Sequence, residues 1–302
     1  MDRQVKNHII GFMETEARDL ERLMVAFLDG KASKEDARSA FMSYQHTNGG
    51  FGKGLEPDCL NPDPQPLQTW AATHYVRLLD LHPSDPVVSG MLDYLETSRS
   101  EDGLYDAVIP SNNLHSHAPW WHDNVTNRRW GYNPSAALFG FIHTCRPSQG
   151  NNRMINDAIA HFLTMEHHEM HELFCFVELH DAIRDDPTPF PRFDTFKERL
   201  SKALTDLVGY DPDTGSDTYG PKASAYCTRP GMFGCQVLKV PLVKEVRAME
   251  AWFRAGNVPK INWSWGTDDD AFRTSAKAWQ GILMMNAFVM LDRIAASLDG
   301  TS

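Results

Sequence analysis

Strand-like alternation is scarce in this chain, and its runs of β-branched and aromatic residues are few and short. That scarcity excludes a sandwich, a strand barrel or a doubly wound sheet as the main architecture. Cysteine is sparse too: five residues in 302 (Cys59, Cys145, Cys175, Cys227, Cys235), none in a Cys-x-x-Cys pair. Such scatter offers no disulfide framework and fits reduced, mostly buried thiols in a cytoplasmic protein. Positive charge is short as well, with a formal net charge of -11 and no Lys/Arg run. A nucleic-acid partner, which needs a basic surface, is therefore not expected. No apolar run approaches the length of a bilayer span, and the stretch from Asp2 to Arg22 is charged and amphipathic, unlike a secretion signal. No membrane insertion is expected.

What is present is a globular composition, 42% apolar and 23% charged, and a weak repeat. A helix ends near a glutamine or its equivalent, a glycine-aromatic turn follows, and a second helix opens after a loop. The clearest copy runs Gln45-His46-Thr47-Asn48-Gly49-Gly50-Phe51 and then Pro66-Leu67-Gln68-Thr69-Trp70. A second passes through Glu101-Asp102-Gly103-Leu104-Tyr105 to Asn133-Pro134, and a third through Gly256 and Trp263-Ser264-Trp265-Gly266 to Trp279. Helix pairs that need neighbours to bury their apolar faces imply a stacked or closed helical array.

Apolar spacing predicts helices over 5–27, 66–81, 86–97, 153–165, 169–183, 193–208, 242–254 and 273–298. Ser33 with Asp36 has the form of a capping box opening another helix, which runs to about Gln45, and Asn133-Pro134 reads as an N-cap followed by a first-turn proline. The stretches 98–132 and 209–240 lack periodicity. Loops of that length inside a compact domain are usually functional. The whole chain, 1–302, reads as one all-α domain, with residues 1–30 packing as an N-terminal helix.

Four groups carry candidate chemistry. Glu56 and Asp58 sit one residue apart on a proline-stiffened loop, where a desolvated carboxyl becomes a general acid beside an ionised neighbour; capping a helix is the plainer alternative. His115, His117, His122 and Asp123 surround Trp120 and Trp121 in the long loop. A substrate pocket lined by these residues is preferred over a metal site, because the spacings are weakly specific for a metal. His167, His168, His171 and Glu172 have metal-compatible helical spacing but read better as a helix junction. Trp263, Trp265 and Trp279 with Met284-Met285 supply either aromatic cavity walls or core, and Asp268-Asp269-Asp270 caps the last helix.

With these motifs placed, the chain resembles the α/α-toroid superfamily of squalene-type cyclases and protein prenyltransferase β-subunits. Gln45-x-x-Asn48-Gly49-Gly50-Phe51 is similar to the Gln-x-x-Asp-Gly-x-Trp repeat of those cyclases. A closer likeness, to a short prenyltransferase-like group, lies in 49–58, 118–121, 170–173 and Trp263-Ser264-Trp265 with Trp279. The resemblance implies an α/α toroid of five to six antiparallel helical hairpins around a central cavity. The departures bear on chemistry. Thr267-Asp268-Asp269-Asp270 lacks the first acid of the cyclase Asp-x-Asp-Asp motif, and neither an Asp-Asp-x-x-Asp magnesium motif nor the Asp-x-Cys zinc motif of prenyltransferases is present.

The expectation is a cyclase or isomerase acting on a small hydrophobic, isoprenoid-like or polyene substrate without metal or cofactor. Asp58 and Glu56 are its catalytic candidates; Trp70, His115, His117, Trp120, Trp121, His122, Asp123, Trp263 and Trp265 are its substrate-binding candidates. A carbohydrate-active toroid, pairing Glu56 or Asp58 with Asp123, and a non-catalytic ligand-binding toroid are the alternatives.

Overall fold

In the computed structural model, which describes residues 1–208 and 220–298, the chain is all-α, with only isolated β-bridges among the described residues. The helices are α1 (Arg3–Glu16), α2 (Asp19–Leu28), α3 (Lys34–Met42), α4 (Pro66–Leu78), α5 (Pro86–Thr97), α6 (Ser135–Cys145) and α7 (Gln149–Thr164). There follow α8 (Met170–Ile183), α9 (Phe193–Leu207), α10 (Phe233–Val237), α11 (Lys239–Arg254), α12 (Asp269–Val289) and α13 (Ala295–Leu298). The chain divides into two compact units, Met1–Ser43 with Val208–Ser302, and Tyr44–Leu207.

In the first unit α1 packs on α11 and α12, and α2 packs on α3 and α12. Ile9, Met13, Met24, Met284, Met285 and Phe288 are fully buried there. The single helix expected over 5–27 is two helices, because Ala17 and Arg18 take extended backbone. The break lets the Arg18 guanidinium turn back onto Glu21, which is 0% exposed, with hydrogen bonds of 2.9 and 2.7 Å. A fully buried carboxylate needs such a partner. The Ser33–Asp36 capping box forms as expected, and Asp268 caps α12 by accepting from the Ala271 amide.

Two further expectations fail in this unit. Cys227 and Cys235 are not free thiols but a disulfide with Cα atoms 5.0 Å apart. The turn between them runs through Gly231 at φ 77°, a conformation that glycine adopts without a Cβ clash. The 30 residues Asp269–Leu298, continuous through a π-helical turn at Met290–Ile294, are long and apolar enough by length and composition to cross a membrane. Half of their most apolar window is buried in the structure, a property shared with core helices of globular folds. Of the irregular stretch expected at 209–240, residues 209–219 lie outside the described residues; 220–222 and 227–232 are irregular as expected, Ala223–Tyr226 form a 3-10 turn, and α10 and the start of α11 follow.

The second unit is three helical hairpins: α4–α5, α6–α7 and α8–α9. Pro66 and Pro86 open α4 and α5 at positions where a missing N–H costs nothing, and Asp85, Ser148 and Glu169 cap α5, α7 and α8. α6 is buried from Ser135 to Ile142, and α8 buries residues all along its length. α7 and α9 instead bury a single stripe each: Ile155, Ala158, Ile159 and Phe162, and Phe196, Leu200, Ala203 and Leu204.

α6 and α8 run parallel. Tyr132 and Asn133, just before α6, meet Glu172 and Cys175 in the first turns of α8, while Gly140 packs against Leu179 and Ala182 further along. Asn133 is therefore not the expected cap. Its Oδ1 accepts from the buried Cys175 thiol at 3.6 Å, its peptide to Pro134 is cis, and Pro134 takes the cap position with no side-chain hydrogen bond.

The repeat is visible in the hydrogen bonds of this unit. Asn48, Gly49 and Phe51 correspond, 54 residues on, to Asp102, Gly103 and Tyr105. In both copies the acid or amide Oδ1 accepts an amide two residues later, and the glycine has φ near 90° (90° and 84°). In both, the fully buried aromatic donates its backbone N–H to a hydroxyl at the start of the following buried helix, Thr69 at 3.0 Å and Ser135 at 2.9 Å. Gln45 closes the first turn by donating to the Gly49 and Val87 carbonyls, both at 2.9 Å.

Candidate functional site

The loop before α4 and the long loop before α6 are joined along their backbones. Cys59 and His117 form an antiparallel bridge, Leu60 donates to the Ser116 carbonyl at 3.0 Å, and Ala118 donates to the Asp58 carbonyl at 2.8 Å. A buried side-chain network lies beneath. Asn61 Nδ2 donates to Asn112 Oδ1 at 2.9 Å and to Ser111, and Asn112 Nδ2 donates to the Trp121 carbonyl at 3.0 Å. Gln68 spans the first loop, accepting from Leu55 N and donating to the Cys59 carbonyl. Asn61, Gln68, Asn112 and Cys59 are all 0% exposed, and burial pushes the Cys59 thiol up to about 12. A thiol kept protonated in this way is packing, not a nucleophile.

The junction brings together most of the residues expected at the site. Asp58 is 3% exposed and Glu56 half-buried, and both raise the Cys59 thiol's pKa electrostatically. His117 and His122 meet through Nε2 and Nδ1 at 3.2 Å, and His117 Nδ1 lies 2.6 Å from the His115 carbonyl. Trp121, 5% exposed, stacks on Trp130 with centroids 4.9 Å apart, whereas Trp120 faces outward at 37% exposure. Asp123 is held by Arg128 through two hydrogen bonds of 2.7 and 2.9 Å. That guanidinium keeps its carboxyl below the usual range. Asn113 closes the same turn by exchanging hydrogen bonds with Asp123's backbone.

Trp70 lies one turn inside α4, on a half-buried stripe with Ala71, His74 and Arg77. Trp263 and Trp265 belong to the other unit, where Trp263 meets Trp279 edge-on at 5.5 Å and Trp265, 3% exposed, lies 6.0 Å from Phe272.

Sequence reasoning missed Arg128 and Trp130, five and nine residues beyond Asp123 and Trp121, and also Asn61 and Asn112. The last two had no periodic signal, since their partners come from a different loop. It read Glu172 only as part of a polar helix junction. Glu172, 7% exposed, accepts from the Tyr132 amide at 2.6 Å and lies 3.9 Å from His161 Nε2; burial raises its pKa. His171 hydrogen-bonds Glu169 at the α8 cap, and His168 stacks on Phe162. Among the described residues no group of three or more His, Cys, Asp or Glu is disposed to hold a metal. Away from the junction, a recess of about 270 Å³ is lined by Glu166, His168, Arg199, Lys202, Ala203 and Asp206, whose formal charges balance.

No family model, curated protein or solved structure matches the chain.

Proposed function

We propose that the protein is an α/α-toroid enzyme that moves a proton on a substrate held at the joined loops, as a cyclase or isomerase of an isoprenoid-like or polyene molecule. The observation that carries this reading is the junction itself. It gathers a buried aspartate, a half-buried glutamate, a histidine pair and a tryptophan stack beside the starts of two buried helices. Hairpins built of one buried and one amphipathic helix, and a turn repeated at a spacing of 54 residues, support the toroid.

In this reading Asp58 delivers the initiating proton, and the loop environment keeps water from competing for it. The aromatic pair Trp121 and Trp130 offers π faces to the positive charge that develops on the substrate. The substrate's own bonds rearrange inside a fixed conformer, so positioning supplies much of the acceleration. The absence of an Asp-Asp-x-x-Asp magnesium motif favours this route over ionisation of a diphosphate.

Exposed Trp120, on the same loop as the exposed Asn113 and Asn124, favours one second reading, a carbohydrate-active site with a sugar laid on that loop. Incubation with a panel of acyclic isoprenoids and of oligosaccharides separates the two. The cyclase reading expects an isomeric product of unchanged mass. Cleaved sugars would support the carbohydrate reading instead.

A further inference from the structure

We propose that His122 Nε2 is the proton acceptor of this site, backed by a relay through His117 to the His115 carbonyl. The inference rests on the enzyme reading above, and deepens it by assigning the base that complements an acid at Asp58.

The argument starts at the fixed end of the chain. A carbonyl oxygen only accepts, so the 2.6 Å contact between the His115 carbonyl and His117 Nδ1 places a hydrogen on that nitrogen. A neutral imidazole carries one N–H, so His117 Nε2 then holds a lone pair. That lone pair faces His122 Nδ1 at 3.2 Å. The ring planes are within 14° of parallel with centroids 5.4 Å apart. A nitrogen contact so much shorter than the centroid separation sets the rings end to end, not face to face, as a hydrogen bond between ring edges requires. His122 Nδ1 must therefore be the donor, which leaves Nε2 of His122 as a bare lone pair on an exposed residue.

This arrangement inverts the situation of an isolated histidine. The outward nitrogen of His122 is ready to take a proton, while both nitrogens of His117 are engaged. When Nε2 forms its new N–H bond, the Nδ1 proton of His122 can pass to His117 Nε2. The imidazolium charge then rests on His117, whose Nδ1–H points at the His115 carbonyl dipole. One proton enters, one shifts along the chain, and the pair gains a single positive charge. The loop holds the geometry: Asn127 Nδ2 donates to the His122 carbonyl at 2.6 Å, and Cys59 bridges the His117 backbone. The nearby charges are Asp123, already matched by Arg128, and the carboxylates Glu56 and Asp58 of the joined loop. His117 is thus a positioning residue, and His122 the group that meets the substrate.

Long-range proton–nitrogen correlation spectra of the intact protein, at mildly alkaline pH without substrate, test the relay directly. The expected result is a protonated Nδ1 and a bare Nε2 on both His117 and His122. His117→Phe removes the acceptor and should shift His122 to the Nε2–H tautomer; His117→Gln, whose amide oxygen can accept, should restore the native one. A wild-type His122 carrying its hydrogen on Nε2, or a His122 indifferent to His117→Phe, overturns the relay whatever the substrate proves to be. Full turnover of a processed substrate by His122→Gln would overturn the base assignment and leave the enzyme reading intact, since turnover by the wild type would already be in hand.

Discussion

Ala118 donates its backbone N–H to the carbonyl of Asp58 at 2.8 Å, so the residue proposed as the acid helps hold two loops together with its main chain. That main-chain bond does not depend on the side chain at position 58. Asp58→Asn keeps size and backbone while removing the transferable proton. Turnover of a processed substrate should fall by about 10²-fold or more, with the thermal midpoint little changed. A variant of full activity excludes the acid role, and one that unfolds assigns Asp58 to the architecture.

Asn112 makes the opposite case. Its side chain serves Asn61, Cys59 and the Trp121 carbonyl from a fully buried position. Asn112→Ala strands one N–H of the Asn61 amide, whose other still reaches Ser111, and the Trp121 carbonyl, and should cost about 2–3 kcal/mol in denaturant unfolding. A loss within experimental error would show that the network is solvated and that the junction does not depend on it.

Gly49 carries both the positive φ of the repeat and a contact with the Gly90 backbone that leaves no room for a Cβ. Gly49→Ala should destabilise by about 2–4 kcal/mol. Gly30→Ala, also at positive φ but with open space around it, should cost about 1 kcal/mol. Equal losses at the two positions would remove the close approach as the cause.

Glu172 gives a pH signature. Burial raises its pKa in the folded state, so the folded protein binds its proton more tightly than the unfolded chain does. Its contribution to stability is fully present below the unfolded glutamate value and is lost as pH rises through the folded one. Glu172→Gln keeps an oxygen for the Tyr132 amide and removes the charge. The variant should match the wild type in acid and equal or exceed its stability at neutral pH. A wild type more stable than the variant at neutral pH, with the gap closing on acidification, would contradict the sign.

Much of the fold was legible because helix signals are local. The Ser33–Asp36 box, Pro66, and the 86–97 helix all formed where spacing and caps put them. The misses have causes that residue spacing does not carry. The break at Ala17–Arg18 answers a buried Glu21, Asn133 is drawn inward by Cys175, and Cys227 finds Cys235 through a turn with no periodic signature. At the site, the aromatic and histidine cluster of 115–123 was readable from composition. Its order was not, because Cys59, Asn61 and Asn112 fix it from loops separated by about fifty residues. The motif Gln45 to Phe51 pointed to the superfamily resemblance, yet its atoms are spent on closing a turn.

Native mass spectrometry of the purified protein tests the central claim most directly, because a preformed site tends to retain what it binds. The account predicts a co-purifying apolar molecule of isoprenoid or polyene composition, whose binding shields His122 and alters Trp121 and Trp130 fluorescence. An oligosaccharide retained at the same loops would contradict it.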